Sequence, residues 1–200
     1  FELGIGTNNV LIPYNMGNMG TPGASLRGWK EYFTRAKIYG ADIDKNTLFE
    51  EERIKTFYCD ETSISDIKNL WLEIGEKMDI IIDDGSHESP DQIVTLKLTY
   101  QLLKHVGIYW CEDTHTSYYP NRPAGGYGNP KSFTSYVKNV VDVLSHHHTS
   151  HAIGFGPFDG PHVPKKLVKP FDEIQGVSFY DSVIVIDKGP RLHFKRIVKK

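Results

Sequence analysis

Asp79-Ile80-Ile81-Ile82-Asp83-Asp84-Gly85-Ser86-His87 is the stretch that decides the fold. Three consecutive branched apolar residues between acids read as a short strand buried on both faces, as in a parallel sheet. The strand stops on Asp-Asp-Gly, and Ser89-Pro90 follows as a cap and first-turn proline, so a helix is expected at once. Ile93, Leu96, Tyr100 and Leu103 share the face of that helix, and Gly107 is expected to end it. Ile108-Tyr109-Trp110-Cys111-Glu112 then reads as the next strand. Strand, helix and strand in this order make one βαβ crossover.

The same alternation runs upstream. Residues 1–5 read as a first strand, and Ser25 is placed to cap a helix carrying Leu26, Trp29 and Phe33. Lys37–Asp42 is a second strand and Ile54–Tyr58 a third. Ser63 with Asp66 resembles a capping box, ahead of Ile64, Ile67, Trp71 and Ile74 on one helical face.

Downstream the pattern loosens. Residues 114–131, rich in Tyr, Gly, Pro and Asn, read as a long loop, and Phe133, Val137, Val140 and Leu144 mark a helix. A second loop over 146–172 is followed by a strand at 178–187, a Lys188-Gly189-Pro190-Arg191 turn and a strand at 192–198. The expectation is an α/β fold: a Rossmann-like, seven-stranded sheet of five βα units, mostly parallel, closed by a C-terminal antiparallel hairpin.

Composition narrows the classes. The 200 residues are 39% hydrophobic and 24% charged, without repeat or linker, which suits a single domain over 1–200. Because the chain opens on a core strand, some residues are expected to be missing upstream. A net charge of −2 offers no global basic field for nucleic acid. No apolar run approaches the roughly 18–20 residues of a membrane span, and no signal-peptide pattern opens the chain. Two cysteines, Cys59 and Cys111, cannot form a disulfide framework, so a cytoplasmic setting is expected.

Chemistry-bearing residues gather at the carboxyl ends of the strands, the edge where α/β folds bind ligands. Gly4-Ile5-Gly6-Thr7 gives a glycine turn after the first strand, although Asn9 stands where a dinucleotide fingerprint needs glycine. Asp42 is placed to accept ribose hydroxyls, and Asp60 to meet an adenine amino group. Together these favour an adenosine-containing cofactor. Asp84, Glu112 and Asp113 end neighbouring strands, and three carboxylates there repel unless a cation neutralises them. All-oxygen ligands favour Mg²⁺ or another hard divalent ion. His87, three residues past Asp84, is placed to take a proton from whatever the ion holds.

These runs resemble one family. Glu2-Leu3-Gly4-Ile5-Gly6-Thr7, Ser25-Leu26-Arg27, Ile38-Tyr39-Gly40 with Asp42, Ile81–His87, Glu112-Asp113 with Thr116-Ser117-Tyr118, and Phe179-Tyr180-Asp181-Ser182 look like the metal-dependent sugar O-methyltransferases of macrolide biosynthesis. The resemblance implies the class I methyltransferase fold with S-adenosyl-L-methionine (SAM) and Mg²⁺ as cofactors. It implies Asp84, Glu112 and Asp113 as metal ligands and His87 as general base. Glu2, Gly4, Gly6, Thr7, Asp42 and Asp60 would lie around SAM, and Tyr118 in a loop closing over the acceptor sugar. The acceptor would be a sugar hydroxyl of a glycan, glycosylated metabolite or nucleotide-linked sugar.

Two rival readings follow from the same residues: a SAM methyltransferase acting on a catechol, amine or nucleic acid, and a nucleotide-sugar glycosyltransferase using Asp83-Asp84 with a metal. No membrane or nucleic-acid partner is expected, and a homo-oligomer stays open. His146-His147-His148 with His151 read as an exposed helix end and loop, because three consecutive side chains cannot face one ion. Tyr118, Tyr119 and Tyr127 read equally as sugar-stacking or loop-packing residues, and Lys195-Arg196 and Lys199-Lys200 as a solvated strand end.

Overall fold

The computed structural model describes residues 1–13, 15–145 and 168–190. Eight strands form one sheet: β1 (Glu2–Leu3), β2 (Ile38–Asp42), β3 (Glu50–Glu51), β4 (Ile54–Tyr58), β5 (Met78–Asp83), β6 (Leu103–Cys111), β7 (Ile174–Phe179) and β8 (Ile184–Lys188). Their order is β3-β4-β2-β1-β5-β6-β8-β7. The five strands β4, β2, β1, β5 and β6 are mutually parallel, while β8 runs antiparallel to both β6 and β7. The mostly parallel sheet with a C-terminal antiparallel pair is therefore present.

The helices cover the two faces unequally. α2 (Ile64–Ile74), α3 (Ser89–Thr99) and α4 (Phe133–Val141) pack on one face, where Ile81, Leu96, Tyr109, Phe133, Val137 and Val140 are buried together. α1 (Ala24–Tyr32) covers part of the other, and its Leu26 is buried with Ile5, Ile38 and Ile54. Gly40 makes that approach possible, because a Cβ there would come within 2.5 Å of Leu26 and 2.8 Å of Ile5.

Several expected boundaries move. Among the described residues the sheet has eight strands, not seven: β3 is a two-residue antiparallel edge of exposed glutamates, which carries no apolar signal. No α-helix joins β2 to β4; a 3-10 turn, Lys45–Thr47, capped by the Asp44 side chain, stands there instead. The expected strand 178–187 is two strands, because Tyr180-Asp181-Ser182 turns the chain, with the Tyr180 amide donating to the Val183 carbonyl at 2.8 Å. The hairpin thus lies one strand upstream, and 192–198 falls outside the described residues, as do His146–His148, His151 and the C-terminal lysines.

Gly107 does not end a helix. It lies inside β6, whose register jumps from Met78 opposite Leu103 to Ile80 opposite Ile108. The tightness there explains the glycine: a Cβ would sit 3.0 Å from the Asp79 carbonyl oxygen. Ser63 caps α2 as expected, but Gly23 in left-handed conformation begins α1 and Glu88 precedes α3. Ser25, itself exposed, instead donates its hydroxyl to the buried Glu2 carboxylate. Ile64 sits at the open start of α2 and is 55% exposed.

Replacing Leu26 with alanine should destabilise the protein by about 2–5 kcal/mol, the cost of a fully buried leucine in a packed site. Urea unfolding checks this. A loss under about 1 kcal/mol would mean that α1 does not anchor this face.

Candidate active site

Parallel register gathers the strand ends. The Gly4 amide donates to the Ala41 carbonyl, the Asp84 amide to that of Leu3, and the Glu112 amide to that of Asp83, each at 2.9 Å. Beside this edge lies a cavity of about 740 Å³, within the usual range for small-molecule sites. Gly4, Gly6, Thr7, Asp42, Asp60, Asp84 and His87 all line it.

The turn after β1 is built from within. Gly4 and Gly6 hold φ of 79° and 84°, and a Cβ on Gly4 would overlap the Asp84 carbonyl oxygen. The room that Gly4 provides is therefore taken by the protein itself. Asp42 fixes this turn, accepting the Ile5 amide at 2.9 Å on Oδ2 and the Asp44 amide at 2.8 Å on Oδ1. Burial raises its pKa and those amide bonds oppose the rise. Thr7 donates to Asp44 at 2.5 Å.

Asp60 accepts from the Thr62 amide at 2.9 Å and from its hydroxyl at 2.7 Å. Glu2, Glu112, Asp113 and Tyr118 are not in the wall of this cavity. Glu2 gives its two oxygens to Ser25 and, at 2.6 Å, to the Trp29 indole, and it lines a second, apolar cavity of about 400 Å³ between α1 and the sheet. Tyr118 is 46% exposed.

At one end of the large cavity, ligand atoms of Asp84, His87 and Asp113 all lie within 4.8 Å of one another. His87 Nε2 stands 3.5 Å from Asp113 Oδ2. The Glu112 carboxylate is outside that group, yet it is the first charge, after burial, raising the Asp84 pKa to about 8; Glu2, Asp113 and Asp83 add to it. Burial also raises Glu112 and lowers His87, so the imidazole is held neutral and can accept a proton. Two carboxylates and an imidazole with a third carboxylate close by form a donor set suited to a divalent cation, which would relieve this crowding.

The backbone is strained at the same place. Among the described non-glycine residues with positive φ are His87 at 56°, Asp113 at 51° and Ser182 at 65°. Each such conformation costs on the order of 1–3 kcal/mol and persists only where surroundings hold it. Glu61, absent from the sequence expectations, also lines the cavity: its carboxylate accepts the Ser86 amide at 2.8 Å, and burial, then Asp83, push its pKa up to about 8. The available signal was its place beside Asp60 at a strand end. Gly85 makes its seat, since a Cβ there would overlap the carboxylate.

Comparison with known proteins bears on this arrangement. No protein-family model matches the chain. The chain is 33% identical over 171 residues to demethylmacrocin O-methyltransferase of Streptomyces fradiae, covering 84% of this chain and 40% of that protein. It is 30% identical over 171 residues to mycinamicin VI 2''-O-methyltransferase of Micromonospora griseorubida, with the same coverage of 84% and 40%. A third relative, the 8-demethyl-8-alpha-L-rhamnosyl tetracenomycin-C 2'-O-methyltransferase of Streptomyces olivaceus, is 35% identical over 124 residues, 62% of this chain and 32% of that one. The chain thus spans between a third and two-fifths of these relatives' lengths.

Among solved structures, the MycE methyltransferase of the mycinamycin pathway in complex with Mg, SAH and mycinamycin VI superimposes with a TM-score of 0.72. It has 26% identity and covers 94% of this chain and 43% of that one. The fold is that of these methyltransferases.

The raised Asp84 pKa has a stability consequence. Its folded value, about 8, lies above the ordinary 3.8, so the folded chain holds this proton more tightly and stability falls as pH rises between the two. In chelator, Asp84→Asn should therefore melt above the wild type at about pH 8.5, by a margin that shrinks toward about pH 5. Calorimetry at both values checks this; a margin independent of pH would contradict the crowding.

Proposed function

We propose that this relative of the sugar O-methyltransferases of macrolide and tetracenomycin biosynthesis is itself a SAM- and Mg²⁺-dependent O-methyltransferase acting on a sugar hydroxyl of a glycosylated small molecule. One observation carries the reading: Asp84, His87 and Asp113 converge at the end of a cavity of about 740 Å³ that begins at the glycine turn. The carboxylates of that cluster fit a hard cation, with the imidazole left as a base, and the cavity fits a nucleoside-sized cofactor.

The residues divide the work. Gly4, Gly6, Thr7, Asp42 and Asp60 shape the cofactor end, with Asp42 acting chiefly by pinning the turn through the Ile5 amide. Asp84 and Asp113, with Glu112 beside them, hold the cation. A divalent ion bound there supplies the positive charge that lowers the pKa of an acceptor hydroxyl. His87, kept neutral by burial, takes the hydroxyl proton. SAM held at the glycine-turn end would provide the activated methyl group, its S–CH3 bond breaking as the O–CH3 bond forms and SAH leaving. Tyr118, half exposed in the turn that follows Glu112-Asp113, is read as the residue facing the acceptor. Most of the rate then comes from alignment.

Partners follow from the same reading: a sugar-containing small molecule and a cytoplasmic biosynthetic setting. No helix among the described residues is long and apolar enough to cross a membrane.

Thermal shift with S-adenosylhomocysteine (SAH) and with a nucleotide diphosphate, each with and without Mg²⁺, tests the reading. SAH should stabilise; stabilisation by the nucleotide diphosphate alone would replace the methyltransferase with a sugar-nucleotide enzyme. With a glycosylated acceptor, EDTA should abolish methyl transfer and Mg²⁺ restore it. His87→Ala should lower kcat by about 10²–10⁴ while SAH affinity holds within about twofold. Recovery of the rate at high Mg²⁺ would instead make His87 a metal-orienting group.

A further inference from the structure

The 3-10 turn Thr114–Tyr118 leaves β6 directly behind Glu112-Asp113 and buries three hydroxyl residues, Thr114, Thr116 and Ser117, of which Thr116 bonds to both strand-end loops. Thr116 is 5% exposed. Its Oγ1 lies 2.7 Å from the His87 carbonyl oxygen and 2.8 Å from that of Asp113. A hydroxyl has one proton, which the two carbonyls share; the Thr116 amide also donates to the Asp113 carbonyl at 3.1 Å, so the hydroxyl is what ties the His87 carbonyl to this turn. They belong to residues at φ 56° and 51°, a backbone region that non-glycine residues occupy only when their surroundings hold them.

The far side of Asp113 is braced separately. The Thr114 amide donates to the Ser182 carbonyl at 3.0 Å. Ser182 Oγ stands 2.5 Å from His115 Nδ1 and donates to Asp113 Oδ1 at 3.4 Å. The turn between β7 and β8 therefore backs the carboxylate, while Thr116 ties the main chains.

We propose that Thr116 is a positioning residue for the metal-and-base cluster, its hydroxyl fixing the distance between His87 and Asp113. The inference rests on the reading of Asp84, His87 and Asp113 as a cation and proton-transfer site. Rotation about a strained backbone carries its side chain along, so slack between the two carbonyls becomes slack between imidazole and carboxylate. Donor atoms within 4.8 Å tolerate little of it. The cofactor end is held by different bonds, those of Asp42 to the turn after β1, and should not feel the change.

The test compares Thr116→Val, which keeps the shape and removes the hydroxyl, with Thr116→Ser, which keeps the hydroxyl. Mn²⁺ binding is titrated by calorimetry in the presence of SAH, SAH binding is measured separately, and melting is recorded for each. Thr116→Val should weaken Mn²⁺ binding by about tenfold or more, the usual effect of losing a group that orients a ligand, with SAH affinity within about twofold. Thr116→Ser should bind Mn²⁺ like the wild type. Unchanged Mn²⁺ binding in Thr116→Val, or parallel loss of SAH and Mn²⁺, would overturn the inference. Loss of Mn²⁺ binding in Thr116→Ser would overturn it too, even if the valine variant fails to fold. A wild type that binds SAH but no Mn²⁺ would overturn the metal-site reading, and the inference with it.

Discussion

Crowded negative charge at one sheet edge is the constraint on which the rest depends. β1, β5 and β6 are adjacent and parallel, so Glu2, Asp83, Asp84, Glu112 and Asp113 come together whatever the loops do. Each acid meets the problem differently. Glu2 has its two oxygens hydrogen-bonded by donors from Ser25 and Trp29, which favour its charged form against burial. Asp83, fully enclosed, accepts the Tyr109 hydroxyl at 2.5 Å and the Cys111 thiol at 3.8 Å. Asp84, with fewer compensations, keeps a proton up to about pH 8. A site that must either hold a proton or recruit a cation is already a chemical device.

That division explains what could be read from residues alone. Ile80-Ile81-Ile82 between acids is legible as a buried parallel strand because branched apolar runs satisfy no other geometry so well. The acids at strand ends are legible because topology, not side-chain conformation, puts them together. The hairpin was misplaced because Tyr180-Asp181-Ser182 interrupts a run that looks continuous in hydropathy. β3 left no trace, being two exposed glutamates on an edge.

The site residues were harder for a related reason. Glu2 and Asp42 both carry the right chemistry at the right strand ends, but a buried carboxylate takes the nearest N–H or O–H donors. For Asp42 these are backbone amides, and for Glu2 a serine and an indole. Pattern reading counts charges and cannot see which lone pairs are already used. Glu61 was overlooked for the opposite reason, since an acid beside a strand end gives no hint that Gly85 has cleared a seat for it.

The contact between the acid pair and the β7–β8 turn has a consequence for the order of folding. The bond that pins the turn after β1 joins residues made early: Ile5 and Asp42 are 37 residues apart. His115 and Ser182 are 67 apart, and β8 must insert between β6 and β7 before they meet. Ser182 also comes later in synthesis than every residue lining the large cavity. During translation the end of the cavity at the glycine turn is therefore complete first. Asp113 gains its rear support only when the hairpin docks, so a chain interrupted before Ser182 would leave the Asp113 carboxylate without that brace.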